Sequence, residues 1–226
     1  MVGQTDTLLL LNIYTSTNYQ TTFFRVKRST TEYYIELSVF VDEKMYKNID
    51  DNKKFGEDTL QKIQTLVYGY LNGVQIIYKS ARLTRRLEIV LVRLDILQSP
   101  DKSLDNHNGE TEKYLDSFCK WQMDKNPGGN TDKADISNDE HWDHALLLTG
   151  FNLYDSVPAL DAVIGLAWVS GMCHPQYSCT INEGNNFESV FVIAHEMGHN
   201  LGMNHDGEIS EVLFYLKAIY LFWANT

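Results

Sequence analysis

Residues 195–206 read His-Glu-Met-Gly-His-Asn-Leu-Gly-Met-Asn-His-Asp, and their spacing constrains the fold of this chain more than any other feature. Positions four apart on an α-helix lie one above the other, so His195 and His199 can aim their imidazoles at a single ion. Glu196 stands beside the first histidine, placed to take a proton from a water held at the ion rather than to bind the ion itself. Gly202 ends the helix. Glycine accepts the left-handed conformation that reverses a chain, and the reversal brings His205 back towards the same point. Three neutral imidazoles leave the fourth corner of a tetrahedral zinc open, the arrangement of a catalytic rather than a structural site. Zinc so held lowers the pKa of its water to roughly 7 and polarises a carbonyl. A lone HExxH occurs in helices with no metal; the glycine and third histidine in register make this signal specific. The apolar run Phe187 to Ala194 would bury the helix, with Asn185 or Asn186 available as its N-cap.

This pattern resembles that of the metzincin metalloproteases, and Asp206 after the third histidine narrows the likeness to the adamalysin branch. Ser117-Phe118-Cys119-Lys120-Trp121-Gln122 and the segment Gly171 to Thr180 are similar to stretches of the ADAMTS group, secreted proteases with thrombospondin motifs. The likeness runs from about Tyr33 to Gly207. It implies a zinc endopeptidase that hydrolyses peptide bonds of extracellular or matrix proteins, with His195, His199 and His205 as zinc (Zn2+) ligands and Glu196 as general base.

Composition agrees with a single catalytic domain. The chain has 226 residues and 43% hydrophobic content, enough for one sizeable core. A net charge of −11 argues against nucleic acid as a partner, because phosphates would repel such a surface. No stretch reaches the roughly 18 apolar residues of a membrane span, and the beginning carries no persuasive secretory signal. Three cysteines, Cys119, Cys173 and Cys179, leave at least one without an internal partner.

Along the chain, strands and helices alternate. Tyr34 to Asp42 alternates like a strand. Phe55 to Tyr78 has apolar residues at helical spacing, and Ile89 to Val92 forms the continuous apolar run of a buried strand, parallel to the first. A second helix is expected over Thr111 to Lys125, a loop from Asn126 towards Glu140, a short strand over Ala145 to Thr149 and another over Val163 to Val169. The expected fold is α/β: a mixed, mostly parallel twisted sheet with an antiparallel edge strand, long helices and an active-site helix.

The resemblance adds further expectations. Gly165, Leu166 and Ala167 would form the edge strand above the cleft, where an extended protein or peptide substrate joins by main-chain hydrogen bonds; an ordinary edge strand has the same geometry. Cys119 and Cys179 match a family disulfide, while Cys173 matches a cysteine whose partner lies further on and is expected to be unpaired here. Glu36 and Asp143 match calcium (Ca2+) ligands, with ordinary carboxylates as the other reading. His141 and His144, either side of Asp143, are not read as a second zinc site. Arg25-Val26-Lys27-Arg28 resembles a furin-type site, so residues 1–28 read as a propeptide remnant cut by a convertase after Arg28; a solvated basic patch is the alternative. Residues 29–207 would be the peptidase domain. Metzincins place a methionine turn under the ligands, yet no methionine follows Met203, so the C-terminal subdomain reads as missing and the apolar residues 208–226 as an unrelated tail. On that account the second functional reading is a zinc-binding fragment of little activity, acting as a binding or competitor module.

Overall fold

The computed structural model describes residues 33–80, 87–128, 140–155, 163–172, 174–184 and 186–205, and the backbone of 9–16 and 19–25. Its centre is a sheet in which β3 (Tyr33–Val41) places Leu37, Val39, Phe40 and Val41 entirely out of solvent. Strand β4 (Leu87–Leu97) pairs with β3 in parallel, as the apolar run predicts, and β5 (His144–Thr149) runs parallel on the other side. Beyond β5 lies β7 (Cys179–Glu183), also parallel, and β6 (Gly165–Ala167) closes the edge antiparallel to it. From Tyr33 onward the order is thus β4-β3-β5-β7-β6, mostly parallel with one antiparallel edge.

Two strands that the sequence analysis does not anticipate extend this sheet. An antiparallel ribbon, β1 (Leu9–Ser16) and β2 (Tyr19–Arg25), joins the outer side of β4 with Tyr19 opposite Leu97 and Phe23 opposite Arg93. Threonine favours extended backbone, but the segment lacks the apolar alternation that announces a half-buried strand.

Helix α1 (Glu43–Asp51) was also not anticipated: it is charged, and Met45 is its one buried side chain. Asp42 starts it, accepting the Met45 N–H at 2.7 Å. Helix α2 (Thr59–Ser80) begins four residues later than Phe55, which is fully exposed, and Gly56 adopts φ +86° between them. Its buried stripe of Ile63, Val67, Tyr70, Val74 and Tyr78 packs on one face of the sheet with Val190, Ile193 and Met197 of α4 (Ser189–Asn200). Helix α3 (Thr111–Lys125) has the expected bounds and covers the opposite face. There Phe40 meets Phe118, Trp121 and Trp142 edge-on at centroid distances of 5.6, 5.1 and 5.8 Å. A Cys119–Cys179 disulfide ties α3 to β7 across 60 residues of chain, a closure that stabilises by on the order of 4 kcal/mol in the chain-entropy picture.

Candidate metal centre

Helix α4 starts at Ser189, later than the apolar run suggests. Asn186 Oδ1 accepts the Glu188 N–H at 2.9 Å and its carbonyl accepts from Ser189, so Asn186 forms the turn before the helix rather than its cap. The Ser189 hydroxyl donates to the Glu183 carbonyl at 2.7 Å and fastens the helix start to the end of β7. Gly73 lets α2 and α4 cross closely, since a Cβ there would lie 2.6 Å from Val190 Cγ1. Tyr78 then donates to the Ala194 carbonyl at 2.9 Å, one residue before the first histidine.

The far end closes as the sequence predicts. Gly202 has φ +94°, its N–H bonds the His199 carbonyl at 2.8 Å, and the Met203 N–H reaches back to Gly198 at 2.9 Å. This paired closure, a Schellman motif, turns the chain so that His205 faces the helix.

His195, His199 and His205 converge through Nε2. The separations are 2.9 Å for 195–199, 3.0 Å for 199–205 and 3.1 Å for 195–205. Among the described residues they are the one group of metal-ligating side chains with atoms so closely gathered. A tetrahedral zinc with bonds of about 2.0–2.1 Å spaces its ligands about 3.3 Å apart, so the histidines fit within a few tenths of an ångström. The second nitrogen of His199 strengthens the fit. Its Nδ1 lies 2.8 Å from the Met203 carbonyl, which can only accept, so Nδ1 carries the proton and Nε2 offers its lone pair to the centre. Burial, and then the neighbouring His199 and His205, push His195 down to about 4, which keeps it neutral and able to ligate at neutral pH.

Glu196 is buried, with 6% of its surface exposed, and lies against the edge strand. A Cβ on Gly165 would come within 2.9 Å of Glu196 Cγ, 2.7 Å of Val192 Cγ1 and 2.6 Å of Asn182 Nδ2. The bare backbone at Gly165 therefore lets β6 approach the helix at the carboxylate-bearing residue. Leu166 and Ala167 continue the strand, and among the described residues β6 pairs only with β7.

Asn200 was missed by sequence reasoning. Fully buried, it donates from Nδ2 to the carbonyls of Trp168 at 2.9 Å and Tyr177 at 2.8 Å, while its own carbonyl accepts from Met172 at 2.9 Å. The last turn of α4 is thereby clamped to the chain leaving β6. An asparagine after the second histidine carries no periodic signal; its partners lie 23 and 32 residues away.

Glu36 and Asp143 are brought side by side where β3 meets β5. Asp143 Oδ2 accepts the Glu36 N–H at 2.9 Å, and the Asp143 N–H donates to the Glu36 carbonyl at 2.8 Å. His141 lies elsewhere, its Nδ1 donating to the Pro127 carbonyl at 3.0 Å. His144 is buried between the hydroxyls of Ser178 and Thr180, and burial drives it down to about 3. Arg28, Cys173, Asn185, Asp206 and residues 208–226 lie outside the described residues. No helix among those described is long and apolar enough to cross a membrane.

Comparison with known proteins agrees with this geometry. The family model described as "Reprolysin (M12B) family zinc metalloprotease" matches residues 33–212. The chain is 34% identical to "A disintegrin and metalloproteinase with thrombospondin motifs adt-1" of Caenorhabditis elegans, over 76% of this chain and 11% of that protein. It is 36% identical to "A disintegrin and metalloproteinase with thrombospondin motifs 6" of Homo sapiens, over 81% of this chain and 16% of the relative. The human protein numbered 3 in the same series is 36% identical over 66% of this chain and 11% of its own length. The chain thus spans between a tenth and a sixth of the relatives it matches.

Proposed function

The chain belongs to the reprolysin (M12B) family of zinc metalloproteases, and from that membership we propose that it hydrolyses internal peptide bonds of extracellular or matrix proteins. One observation carries the reading: three imidazole nitrogens, two from α4 and one from the turn after it, lie within 3.1 Å of one another beside a buried glutamate that abuts β6, whose outer edge is unpaired among the described residues.

His195, His199 and His205 would hold the zinc through their Nε2 atoms. When bound, zinc supplies a Lewis acid that acidifies a water and polarises the scissile carbonyl. An extended substrate lies along Gly165, Leu166 and Ala167, adding a strand by main-chain hydrogen bonds, so peptides of varied sequence are gripped alike. Glu196 takes the proton of the attacking water and delivers it to the departing amine. Its contact with Gly165 fixes the distance between base and peptide. Asn200 acts through Trp168, keeping the end of β6 and the histidine-bearing turn in one rigid frame.

The carboxylates of Glu36 and Asp143 offer hard oxygen ligands for a structural Ca2+ joining β3 to β5. A convertase releases the peptidase domain by cutting after Arg28. Secretion accords with the Cys119–Cys179 bond, which persists in an oxidising compartment.

The test is reconstitution: the purified chain receives one equivalent of zinc and an unfolded protein substrate, and fragments are counted before and after a chelator. Cleavage that stops with chelation and returns with zinc is expected. Cleavage indifferent to zinc would remove the reading.

A further inference from the structure

The register of β6 on β7 pairs Gly165 with Asn182, Leu166 with Ile181 and Ala167 with Thr180. Leu166 and Ile181 pack together on the α3 face of the sheet, whereas Gly165 faces Glu196 and α4. Side chains alternate along a strand, and cross-strand neighbours share a face. A peptide added to the open edge of β6 therefore turns the residue abreast of Leu166 towards α3, away from the histidines.

A cleft of about 250 Å3 lies on that side. Leu115, Leu166 and Trp168 give it apolar and aromatic walls, Glu112 and Asp155 contribute two exposed carboxylates, and among the described residues none that lines it is basic. The first turn of α3 opens here too, with a partial positive charge of roughly half a unit. The two carboxylates outweigh it, and the first amide of the turn is already engaged, the Thr111 N–H donating to the Tyr154 carbonyl at 3.0 Å. The local field favours a cation, in keeping with a chain whose net charge is −11.

We propose that this cleft is a specificity subsite for a basic side chain, lysine or arginine, carried by the extended peptide on β6. The aliphatic stem lies along Leu115 and Leu166, the cationic head meets Glu112 and Asp155, and Trp168 adds the aromatic surface that best attracts a cation. The subsite rests on the reading that β6 receives the substrate strand, though not on turnover.

Binding and cleavage are therefore measured separately. The zinc-loaded Glu196→Ala chain is titrated with short extended peptides, labelled for anisotropy, in which each position in turn carries Lys, Arg, norleucine, Gln or Glu. Lys or Arg at one position should tighten binding about five- to tenfold over Gln. High salt should shrink the preference, and the double variant Glu112→Gln, Asp155→Asn, checked to melt at the same temperature, should abolish it. Equal binding of Lys, Gln and Glu peptides at every position, a preference untouched by the double variant, or no binding of any peptide overturns the proposal. The same peptides are then offered to the wild-type chain: a ranked preference without any cleavage would leave the subsite standing and remove the protease reading.

Discussion

Gly165 and Glu196 meet where the edge strand crosses the active-site helix, so closely that a methyl group on the glycine would stand 2.9 Å from Glu196 Cγ. On the proposed function, the distance between a substrate strand on β6 and the Glu196 carboxylate is set by the absence of a side chain at Gly165. Gly165→Ala should push Glu196 and Asn182 aside while leaving the histidines in place. Displacements of about 1 Å can cost on the order of a hundredfold in rate. The expected outcome is kcat/KM down by at least about tenfold with full zinc occupancy, read by steady-state kinetics alongside metal analysis. Unchanged kinetics would show that the contact does not position the base.

Asn200→Ala tests the clamp between α4 and the chain after β6. The carbonyls of Trp168 and Tyr177 would each lose one of two donors, keeping the N–H of Gly171 and of Cys179 respectively. Two hydrogen bonds lost at about 0.5–1.5 kcal/mol each amount to on the order of 2 kcal/mol. A loss near 2 kcal/mol corresponds to roughly 4–8 °C in Tm for a domain of this size. Calorimetry of the zinc-loaded pair of proteins checks it.

Gly202→Ala addresses the reversal that delivers His205. The residue has φ +94°, a conformation an alanine adopts only under strain, so about 1 kcal/mol or more of stability should be lost. The turn carries His205, and on the proposed function zinc affinity should fall with it. Competition with a chromophoric chelator measures that fall; a change in stability with no change in affinity would mean His205 does not ligate.

The pH dependence of folding should carry a signature of Asp42. Burial pushes its carboxyl up to about 6 despite hydrogen bonds from Thr149, Met45 and Gly150 that favour the charge. Its unfolded value is 3.8. Between those values the folded state binds more protons than the unfolded one, so this contribution to stability is complete below about pH 4 and lost as pH rises through about 6. Its size is on the order of 3 kcal/mol. Asn remains a good N-cap, so Asp42→Asn should gain on wild type across that window. Denaturant unfolding at pH 4 and pH 7 makes the comparison; a constant difference would mean that Asp42 is ionised throughout.

The centre of the site was legible because its ligands come from one helix and the turn after it, where spacing alone fixes geometry. Helix α3 and strand β3 announced themselves through periodicity. Strand β7 did not, because Thr180 and Asn182 alternate with Cys179 and Ile181 yet all four are buried, and the polar pair face α4 and His144 rather than water. Helix α1 was hidden by its charge and its single buried side chain. Asn200 shows the general limit: a side chain whose work is to hold distant backbone gives no sign of it in its neighbours.

The most direct measurement compares the wild-type chain with Glu196→Ala, each at one equivalent of zinc, on the same unfolded protein substrate. Both should bind zinc one to one, because Glu196 is not a ligand; only the wild type should turn the substrate over. Equal turnover by the two, or none by a wild-type chain whose zinc site is full, would contradict the assignment of this chain as a protease acting through Glu196.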